Sequence, residues 1–385
     1  MPSPSPYFTY LTELLKNMLE KGASDLFITV GSPPAIKVNG EMTPFNTKPI
    51  SRDQADEILR AAMNETQQKQ FHDTHECNFA LSLDGIGRFR VNAFVQRGSV
   101  GLVARHINTD VPTVNQLGLP PVLGKLTLEK RGLILMVGGT GSGKSTSLAA
   151  MLNHRNENSR GHIITIEDPI EFMHPHKKCL IMQREVGVDT DSWFAALKNT
   201  LRQAPDVILI GEIRDRETME YAIAFAETGH LCLATLHANN SNQALDRIIN
   251  FFSMDRRPQL LMDLSLNLRG IISQRLIPKI DGGRVPAIEI LLSSPLVSDL
   301  IHKGDVHEIK TIMAKSRDLG MCTFDQALFD LCATGLVAPE TALRFADSQN
   351  ELRLMLKTLI RRPPPKDDED AADEDNNGLS ILKDH

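Results

Sequence analysis

"GLILMVGGTGSGKS", residues 132–145, joins an apolar run to a glycine-rich loop that fits G-x-x-x-x-G-K-[ST] without a mismatch. The apolar run predicts a buried strand, and "KSTSLAAMLNHRN" after the last glycine predicts a helix. In this order the glycines let backbone N–H groups and the helix N-terminus converge on phosphate oxygens. The alternative is a glycine-rich turn that binds nothing, but such a turn does not need Lys-Ser after its last glycine.

The loop therefore predicts a nucleotide phosphate site. We expect the Lys144 ammonium to reach the β- and γ-phosphates and the Ser145 hydroxyl to ligate Mg²⁺, which makes ATP and Mg²⁺ the expected cofactors. The predicted binding residues are Gly138, Gly139, Thr140, Gly141, Ser142, Gly143, Lys144, Ser145 and Thr146.

A second stretch, "DVILIGEIRD" at 206–215, ends an apolar run with a carboxylate. An unpaired buried charge is costly, so Glu212 needs a partner or a task. Ligands of parallel sheets bind at the carboxyl ends of the strands, and the phosphate loop follows one such end. Glu212 is thus a candidate to orient or activate the water that attacks the γ-phosphate. The alternative is a buried glutamate that pairs with Arg214.

Two further apolar runs end in polar residues. "ITIEDPIEF" reaches Glu167 and Asp168, and "HLCLATLHANN" starts at His230 and reaches His237. One polar residue after a strand is usually only a turn former. Three strand ends that deliver Glu167, Glu212 and His237 predict, together with the loop lysine and serine, one phosphoryl-transfer site.

The pattern of elements predicts an α/β protein of two domains. Residues 1–108 carry two helix-like segments, one of them with a capping box at Ser51 and Gln54, and several strand-like runs, which predict a small α+β domain on an antiparallel sheet. Residues 109–129 are predicted to be a linker. Apolar strands then alternate with helices, which predicts a parallel sheet covered on both faces in an ATPase domain at 130–362. Residues 245–360 are predicted to be largely helical apart from "RVPAIEIL".

Composition narrows the possible functions. The net charge is −6, and residues 363–385 hold eight acidic and two basic residues, so the remainder is formally neutral. A neutral body argues against nucleic acid as a partner, and the acidic segment is predicted to be a disordered tail. Five scattered cysteines without a CxxC pair, no long apolar run and no secretory signal predict a reduced, cytoplasmic protein.

Four segments carry a family resemblance: "GGTGSGKST", "ITIEDPIEF", "LRQAPDVILIGEIRD" and "GHLCLATLHANN". They resemble the Walker A, Asp box, Walker B and His box of the type II/IV secretion ATPase superfamily, in the same order. The resemblance extends into the first domain through "ASDLFITVGSPPAIKVNGE" and covers most of residues 10–350. Within the superfamily it is strongest to the pilus retraction (twitching-motility) ATPases of the PilT/PilU family.

The resemblance implies a PAS-like N-terminal domain, a RecA-like P-loop ATPase domain with a helical C-terminal part, and a homo-hexamer with ATP between the domains. It assigns the Walker B carboxylate to Glu212, with Gly211 in place of the usual aspartate, which leaves Mg²⁺ to Ser145, waters and Glu167. The His box contributes His230 and His237 as catalytic candidates. Family arginines that reach the phosphates match Arg90 and Arg105, for which the alternative is a solvated surface charge.

The chain departs from the PilT pattern at "LVSDLIHKG", residues 296–304, where the Arg and Glu of a charged motif are missing. With the acidic tail, this favours the PilU branch and an accessory motor that acts with a PilT-like ATPase. The implied location is peripheral to the inner membrane at the pilus base, beside a platform protein. Two alternatives remain: a nucleotide-binding ring subunit with little hydrolysis of its own, and a DNA-transfer ATPase, which the lack of a basic cluster disfavours.

Deletion of residues 363–385 is expected to leave the fold and ATP hydrolysis intact. The segment has few apolar residues, namely Leu379, Ile381 and Leu382, so it has little surface with which to dock on the body. Thermal unfolding and steady-state hydrolysis of the full and truncated chains measure this. A clearly lower melting temperature for the truncated chain would show that the tail packs on the body.

Overall fold

The computed structural model describes residues 5–38 and 40–360. Within these residues the chain forms a mixed α/β structure with two sheets, one of six strands and one of seven. The predicted tail at 363–385 lies outside the described residues. The predicted boundaries at 108, 129 and 362 stay predictions.

The first sheet is antiparallel throughout, as the sequence predicted. Its strands are β1 (Asp25–Thr29), β2 (Ala35–Val38), β3 (Glu41–Pro44), β4 (Glu76–Leu83), β5 (Gly87–Gln96) and β6 (Ser99–Ile107). They lie in the order β3-β2-β1-β6-β5-β4. The helices of this half are α1 (Pro6–Glu20), α2 (Arg52–Ala62) and α3 (Glu65–Thr74). The predicted capping box at the start of α2 is confirmed, since Ser51 and Gln54 exchange side-chain and backbone hydrogen bonds.

The second sheet holds the phosphate loop. Its strands are β7 (Gly132–Val137), β8 (Gly161–Glu167), β9 (Cys179–Glu185), β10 (Val207–Ile210), β11 (Leu231–Leu236), β12 (Leu268–Pro278) and β13 (Arg284–Leu292). They lie in the order β13-β12-β7-β11-β10-β8-β9, and every neighbouring pair is parallel except β12 with β13. The remaining helices are α4 (Pro121–Thr127), α5 (Lys144–Asn158), α6 (Trp193–Thr200), α7 (Arg216–Glu227), α8 (Ser241–Asn250), α9 (Arg257–Asn267), α10 (Pro295–Lys303), α11 (Ile309–Lys315), α12 (Phe324–Ala333), α13 (Pro339–Phe345) and α14 (Gln349–Ile360).

Both faces of the second sheet are covered. In β7, Leu133 and Leu135 point into one apolar core, and Ile134 and Met136 point into the core on the other face. All four side chains are fully buried. Strands buried on both faces read as continuous apolar runs, so polar chemistry at these strands is confined to their ends.

The sequence interpretation was wrong for one central strand. Residues 245–360 were expected to be largely helical apart from one strand, but β12 also crosses this segment and pairs with β7. Its buried polar residues Ser273 and Gln274 interrupt the apolar run that would have indicated a strand. Strand β9 likewise had no sequence prediction. The helical expectation holds from α10 onwards.

Helices α4 and α10 both pack against the cores of the second sheet. Helix α4 lies within the predicted linker and buries Leu123 and Leu126 in a core of the second sheet. "LVSDLIHKG" forms most of α10, which buries Val297 and Ile301 and leaves Leu296 half-exposed. In the part of the chain that the structure describes, every helix is too short or too polar to cross a membrane.

Candidate active site

The phosphate loop is shaped by close backbone contacts. Gly141 and Gly143 have φ values of 75° and 86°, in the left-handed region that favours glycine. A Cβ on Gly143 would lie 2.7 Å from the side-chain nitrogen of Gln274, and one on Gly138 would lie 2.5 Å from the Ser142 hydroxyl. Side chains at these positions would force the loop apart. The glycines thus give the loop the tight curvature that a phosphate cradle needs.

The Lys144 ammonium lies inside this curve. Its Nζ donates hydrogen bonds to the carbonyl oxygens of Gly138, at 2.8 Å, and Gly139, at 2.9 Å. Burial lowers the pKa of Lys144, and the nearby Glu212 carboxylate opposes that effect. The loop therefore encloses a cation at the first turn of α5, where the positive end of the helix also attracts anions.

Parallel register brings the other candidates to the same edge. Residues Val207–Ile210 pair with residues 163–166 on one side and with residues 231–234 on the other. The carboxyl ends of β8, β10 and β11 therefore lie together. One pocket of about 390 Å³ opens there, and its lining includes Lys144, Ser145, Glu167, Glu212 and His237. Thr140 and Gly141 of the loop line it too.

Glu212 is held by two partners. Its Oε2 accepts a hydrogen bond from Arg214 Nε at 2.7 Å, and its Oε1 lies 3.1 Å from His237 Nε2. Burial lowers the pKa of His237, with a further lowering by Lys144 that Glu212 opposes. The pairing with Arg214 that the sequence allowed is thus present, and the same carboxylate also faces the pocket. One oxygen is tied to an arginine while the other points at the reactive edge.

Glu167 has a more enclosed environment. Its Oε1 accepts hydrogen bonds from Thr165 Oγ1, at 2.7 Å, and from Gln183 Nε2, at 3.2 Å. Burial raises the pKa of Glu167 to about 7 despite these bonds. Gln183 also donates to the carbonyl of Phe172 and accepts from the backbone N–H of His174, so its amide is fixed. Gln183 lies on β9, a strand that the sequence did not indicate, so it was not among the predicted site residues.

Gln274 is a second residue that the sequence did not point to. It lies on β12 beside the loop, where its Nε2 donates to the Ser142 carbonyl at 2.8 Å. Its Oε1 accepts from Ser147 Oγ at 2.7 Å. Both ends of one buried amide thus fix the phosphate loop to the first turns of α5. A glutamine inside an apolar segment is the only sequence signal that marks it.

Several predicted site residues lie elsewhere. His230 precedes β11 at the opposite edge of the sheet, where its Nδ1 lies 3.0 Å from Thr228 Oγ1. The six residues of β11 separate it from His237 by about 20 Å at the usual rise per strand residue. Its inclusion in the site is therefore not supported by this structure, because a parallel strand delivers only its carboxyl end to the pocket. Thr146 is half-buried on α5 and does not line the pocket.

The two arginines of the first domain do not line the pocket either. Arg90 and Arg105 are directly opposite each other on β5 and β6. Arg105 Nε donates to Asp25 Oδ1 at 2.7 Å. Burial raises the pKa of Glu185 at the end of β9, and the Arg90 charge lies near enough to oppose that effect. Within one chain these arginines therefore stand outside the nucleotide pocket.

The amino-acid sequence of the chain matches a known protein family. Residues 3–286 match the family described as "Type II/IV secretion system protein". The chain belongs to the type II/IV secretion system protein family. The motifs that indicated this family from the sequence are thereby confirmed.

Relatives within the type II/IV secretion system protein family are close in sequence and fold. The chain is 61% identical over 346 residues to the type IV pilus ATPase PilU of Pseudomonas aeruginosa, covering 90% of this chain and 91% of that protein. It is 43% identical over 332 residues to the retraction ATPase PilT of the same organism, covering 86% and 96%. A crystal structure of the pilus retraction motor PilT with bound ADP superposes with a TM-score of 0.83 at 40% identity, covering 89% of this chain and 98% of that one.

Replacement Glu167→Gln is expected to stabilise the nucleotide-free protein at high pH but not at low pH. A folded-state pKa near 7, above the ordinary 4.5, means that the carboxylate favours the fold while protonated, and this contribution is lost as the pH rises through 7. The shift corresponds to at most about 3 kcal/mol. Thermal unfolding at pH 5 and pH 8.5 measures it, with the exposed Glu217→Gln on α7 as control. Equal melting temperatures for wild type and E167Q at pH 8.5 would contradict the prediction.

Proposed function

We propose that this chain is an ATP-hydrolysing motor subunit of type IV pilus retraction that works with a PilT-like ATPase. The observation that carries the proposal is the meeting of Lys144, Ser145, Glu167, Glu212 and His237 in one pocket at the carboxyl edge of a parallel sheet. A phosphate loop, two carboxylates and an imidazole are the groups that nucleoside triphosphate hydrolysis uses. The identity to PilU over most of both chains supports the pilus as the site of action.

Each residue has a defined task in this proposal. The loop N–H groups and the Lys144 ammonium bind the β- and γ-phosphates of ATP. Glu212 holds the attacking water and accepts its proton as the water oxygen bonds to the γ-phosphorus and the bond to the β-phosphate oxygen breaks. Its other oxygen stays on Arg214, which fixes the direction of the first. His237 orients the same carboxylate from the neighbouring strand.

A magnesium ion fits the donors that face the pocket. Ser145 is exposed at the start of α5, and Glu167 supplies carboxylate oxygens; hydroxyl and carboxylate oxygens are the hard ligands that Mg²⁺ takes with waters and phosphates. Across residues 5–38 and 40–360, no cluster of three or more His, Cys, Asp or Glu side chains forms a self-contained metal site. These donors would hold Mg²⁺ together with phosphate oxygens of the nucleotide, and the ion would supply neutralisation of phosphate charge there.

The positions of Arg90 and Arg105 support the proposed oligomeric state. A PAS-like domain at 1–108 and a RecA-like domain at 130–362 assemble as a homo-hexamer, with ATP between domains. Arg90 and Arg105 are outside the pocket of their own chain, so they act on phosphates only in the closed or assembled ring, as arginine fingers do. A location at the inner membrane beside the platform protein of the pilus base completes this proposal.

The surface of α10 supports an accessory role. The charges that α10 carries at Asp299 and Lys303 pair with each other at 2.6 Å, on side chains that are about half-exposed. Exposed pairs of this kind contribute little stability. The helix carries this pair in place of the Arg and Glu of the PilT-type motif, whereas the phosphate loop and the strand-end residues of the site are present.

Lys144→Ala and Glu212→Gln are expected to fail in different ways. K144A loses the cation that binds the phosphates, so ATP binding or turnover is abolished. E212Q keeps the shape of the side chain but cannot accept a proton, so nucleotide still binds while hydrolysis falls by roughly 100-fold or more. Nucleotide titration and phosphate release on the purified chains separate the two. Normal turnover by K144A, or a collapse of affinity in E212Q with a high residual rate, would contradict the assigned roles.

Pilus retraction by this chain is expected to require a PilT-like ATPase. A cell that lacks PilT but expresses this protein should not retract its pili, because α10 lacks the Arg and Glu of the PilT-type motif. Retraction should return when a PilT with an inactive phosphate loop is supplied, since hydrolysis then comes from this chain. Retraction is measured by imaging labelled pili. Robust retraction without any PilT would contradict the accessory role, and the alternative of a ring subunit without hydrolysis predicts no retraction in either cell.

A further inference from the structure

The loop that follows β11 is fastened at every residue from His237 to Ser241 except Ala238. The carbonyl of His237 accepts a hydrogen bond from Arg247 at 2.9 Å, and that of Asn239 accepts one from Arg275 at 3.1 Å. The side chain of Asn240 donates to Asp347 at 3.2 Å. The backbone N–H and the hydroxyl of Ser241 both donate to the buried Glu289, at 2.7 and 2.8 Å. This loop carries the imidazole that contacts Glu212, so its position sets the geometry of that pair.

One of these anchors comes from the far end of the chain. Asp347 lies between α13 and α14, and its side chain is 10% exposed. Its Oδ1 accepts from Arg275 at 2.6 Å, and its Oδ2 accepts from Asn240 and from Lys310 of α11, the latter at 3.0 Å. Burial raises the pKa of Asp347, but Arg275 and Lys310 outweigh burial and lower it, so this carboxylate is charged. The Asp347 carboxylate therefore connects the loop after β11 to the C-terminal helices, and Arg275 adds a second link by donating to the Phe345 carbonyl of α13 at 2.6 Å.

Asp347 is itself held in place. Its backbone N–H donates to Asp325 Oδ1 at 2.9 Å, and the N–H of Ser348 donates to the same carboxylate. Asp325 is buried on α12. The Arg275 guanidinium stacks on the ring of Phe324, with 3.9 Å from its central carbon to the ring centroid. These contacts hold the Asp347 carboxylate and the Arg275 guanidinium in place, so the ion pair forms a rigid link between the C-terminal helices and the loop after β11.

Two adjacent residues of β12 contact different loops of the site. Gln274 faces the phosphate loop, and Arg275 faces the loop after β11, because successive side chains of a strand point to opposite faces. Among the contacts of the Asp347 side chain, with Arg275, Asn240 and Lys310, those that extend towards the candidate site go to the loop after β11. A change at Asp347 is thus transmitted towards Glu212 and His237, and the phosphate-binding contacts of Lys144 are left in place.

We propose that Asp347 is a positioning residue for hydrolysis, which acts through Arg275 and Asn240 to hold the His237 loop against Glu212. This inference rests on the proposed ATPase function. Through it the C-terminal helices α11 to α14 control the rate of the chemical step while leaving nucleotide affinity unchanged. A small displacement of a reacting group is enough for such control, since shifts of about 1 Å can change a rate by about 100-fold.

The test compares Asp347→Asn and Asn240→Ser with wild type in full-length protein. D347N removes the charge that pairs with Arg275 and Lys310. N240S loses the amide that reaches Asp347 but keeps a side-chain oxygen to cap α8, so it keeps the test open if D347N does not fold. Asp330→Asn is the control, because Asp330 pairs with Arg317 in the same helical region at an exposed site. We expect kcat to fall about tenfold or more in D347N and less in N240S, with KM for ATP within about twofold of wild type and D330N unchanged.

A double-mutant cycle separates positioning from general loosening. D347N is combined with His237→Ala, and single-turnover hydrolysis is measured so that slow variants remain measurable. If Asp347 acts through His237, D347N has no further effect once the imidazole is gone. Additive losses, a raised KM, or an unchanged kcat in D347N and N240S would overturn the inference. Absence of hydrolysis by wild type would instead overturn the proposed function, so the two failures are distinct.

Discussion

Parallel pairing of β7, β11, β10 and β8 is the constraint on which the candidate active site depends. These strands are buried on both faces, so they cannot carry polar groups along their length without cost. Their carboxyl ends share one edge, and there the phosphate loop, Glu167, Glu212 and His237 meet. The carboxylate at the end of the apolar run "VILIG" is tolerated because Arg214 and His237 contact it. The same contacts direct it at the pocket, so the partner and the task that Glu212 needs are supplied together.

This constraint also explains which parts of the site the sequence could predict. Loop residues and strand ends lie next to apolar runs, so position along the chain was enough to find Lys144, Glu167, Glu212 and His237. His230 borders the same run but at its beginning, and the direction of the strand takes it to the opposite edge. Sequence proximity to a strand therefore carries information only when the end of the strand is specified.

The residues that the sequence missed share a different property. Gln183, Gln274 and Asp347 act through contacts with residues of other elements, and Gln274 and Asp347 each contact a residue more than 100 positions away in the chain. In β12 the buried Gln274 contacts the phosphate loop, and with Ser273 it also interrupts the apolar run, so the strand was not predicted. Local propensity cannot recover such residues, because the polar group is tolerated only by partners that tertiary packing brings to it. Buried polar residues that interrupt an apolar run therefore mark positions whose side chains hold the site residues in place.

In the proposed motor, two adjacent residues of β12 support nucleotide binding and hydrolysis through separate contacts. Gln274 fixes the loop that binds phosphate, and Arg275, one residue later, connects the catalytic loop to Asp347 and the C-terminal helices. Since the two side chains face opposite sides of one strand, binding and hydrolysis are supported by separate contacts. A partner that engages the C-terminal helices can then change the rate of hydrolysis without releasing the nucleotide. In the proposed accessory motor, this separation keeps the nucleotide bound while the rate of hydrolysis changes.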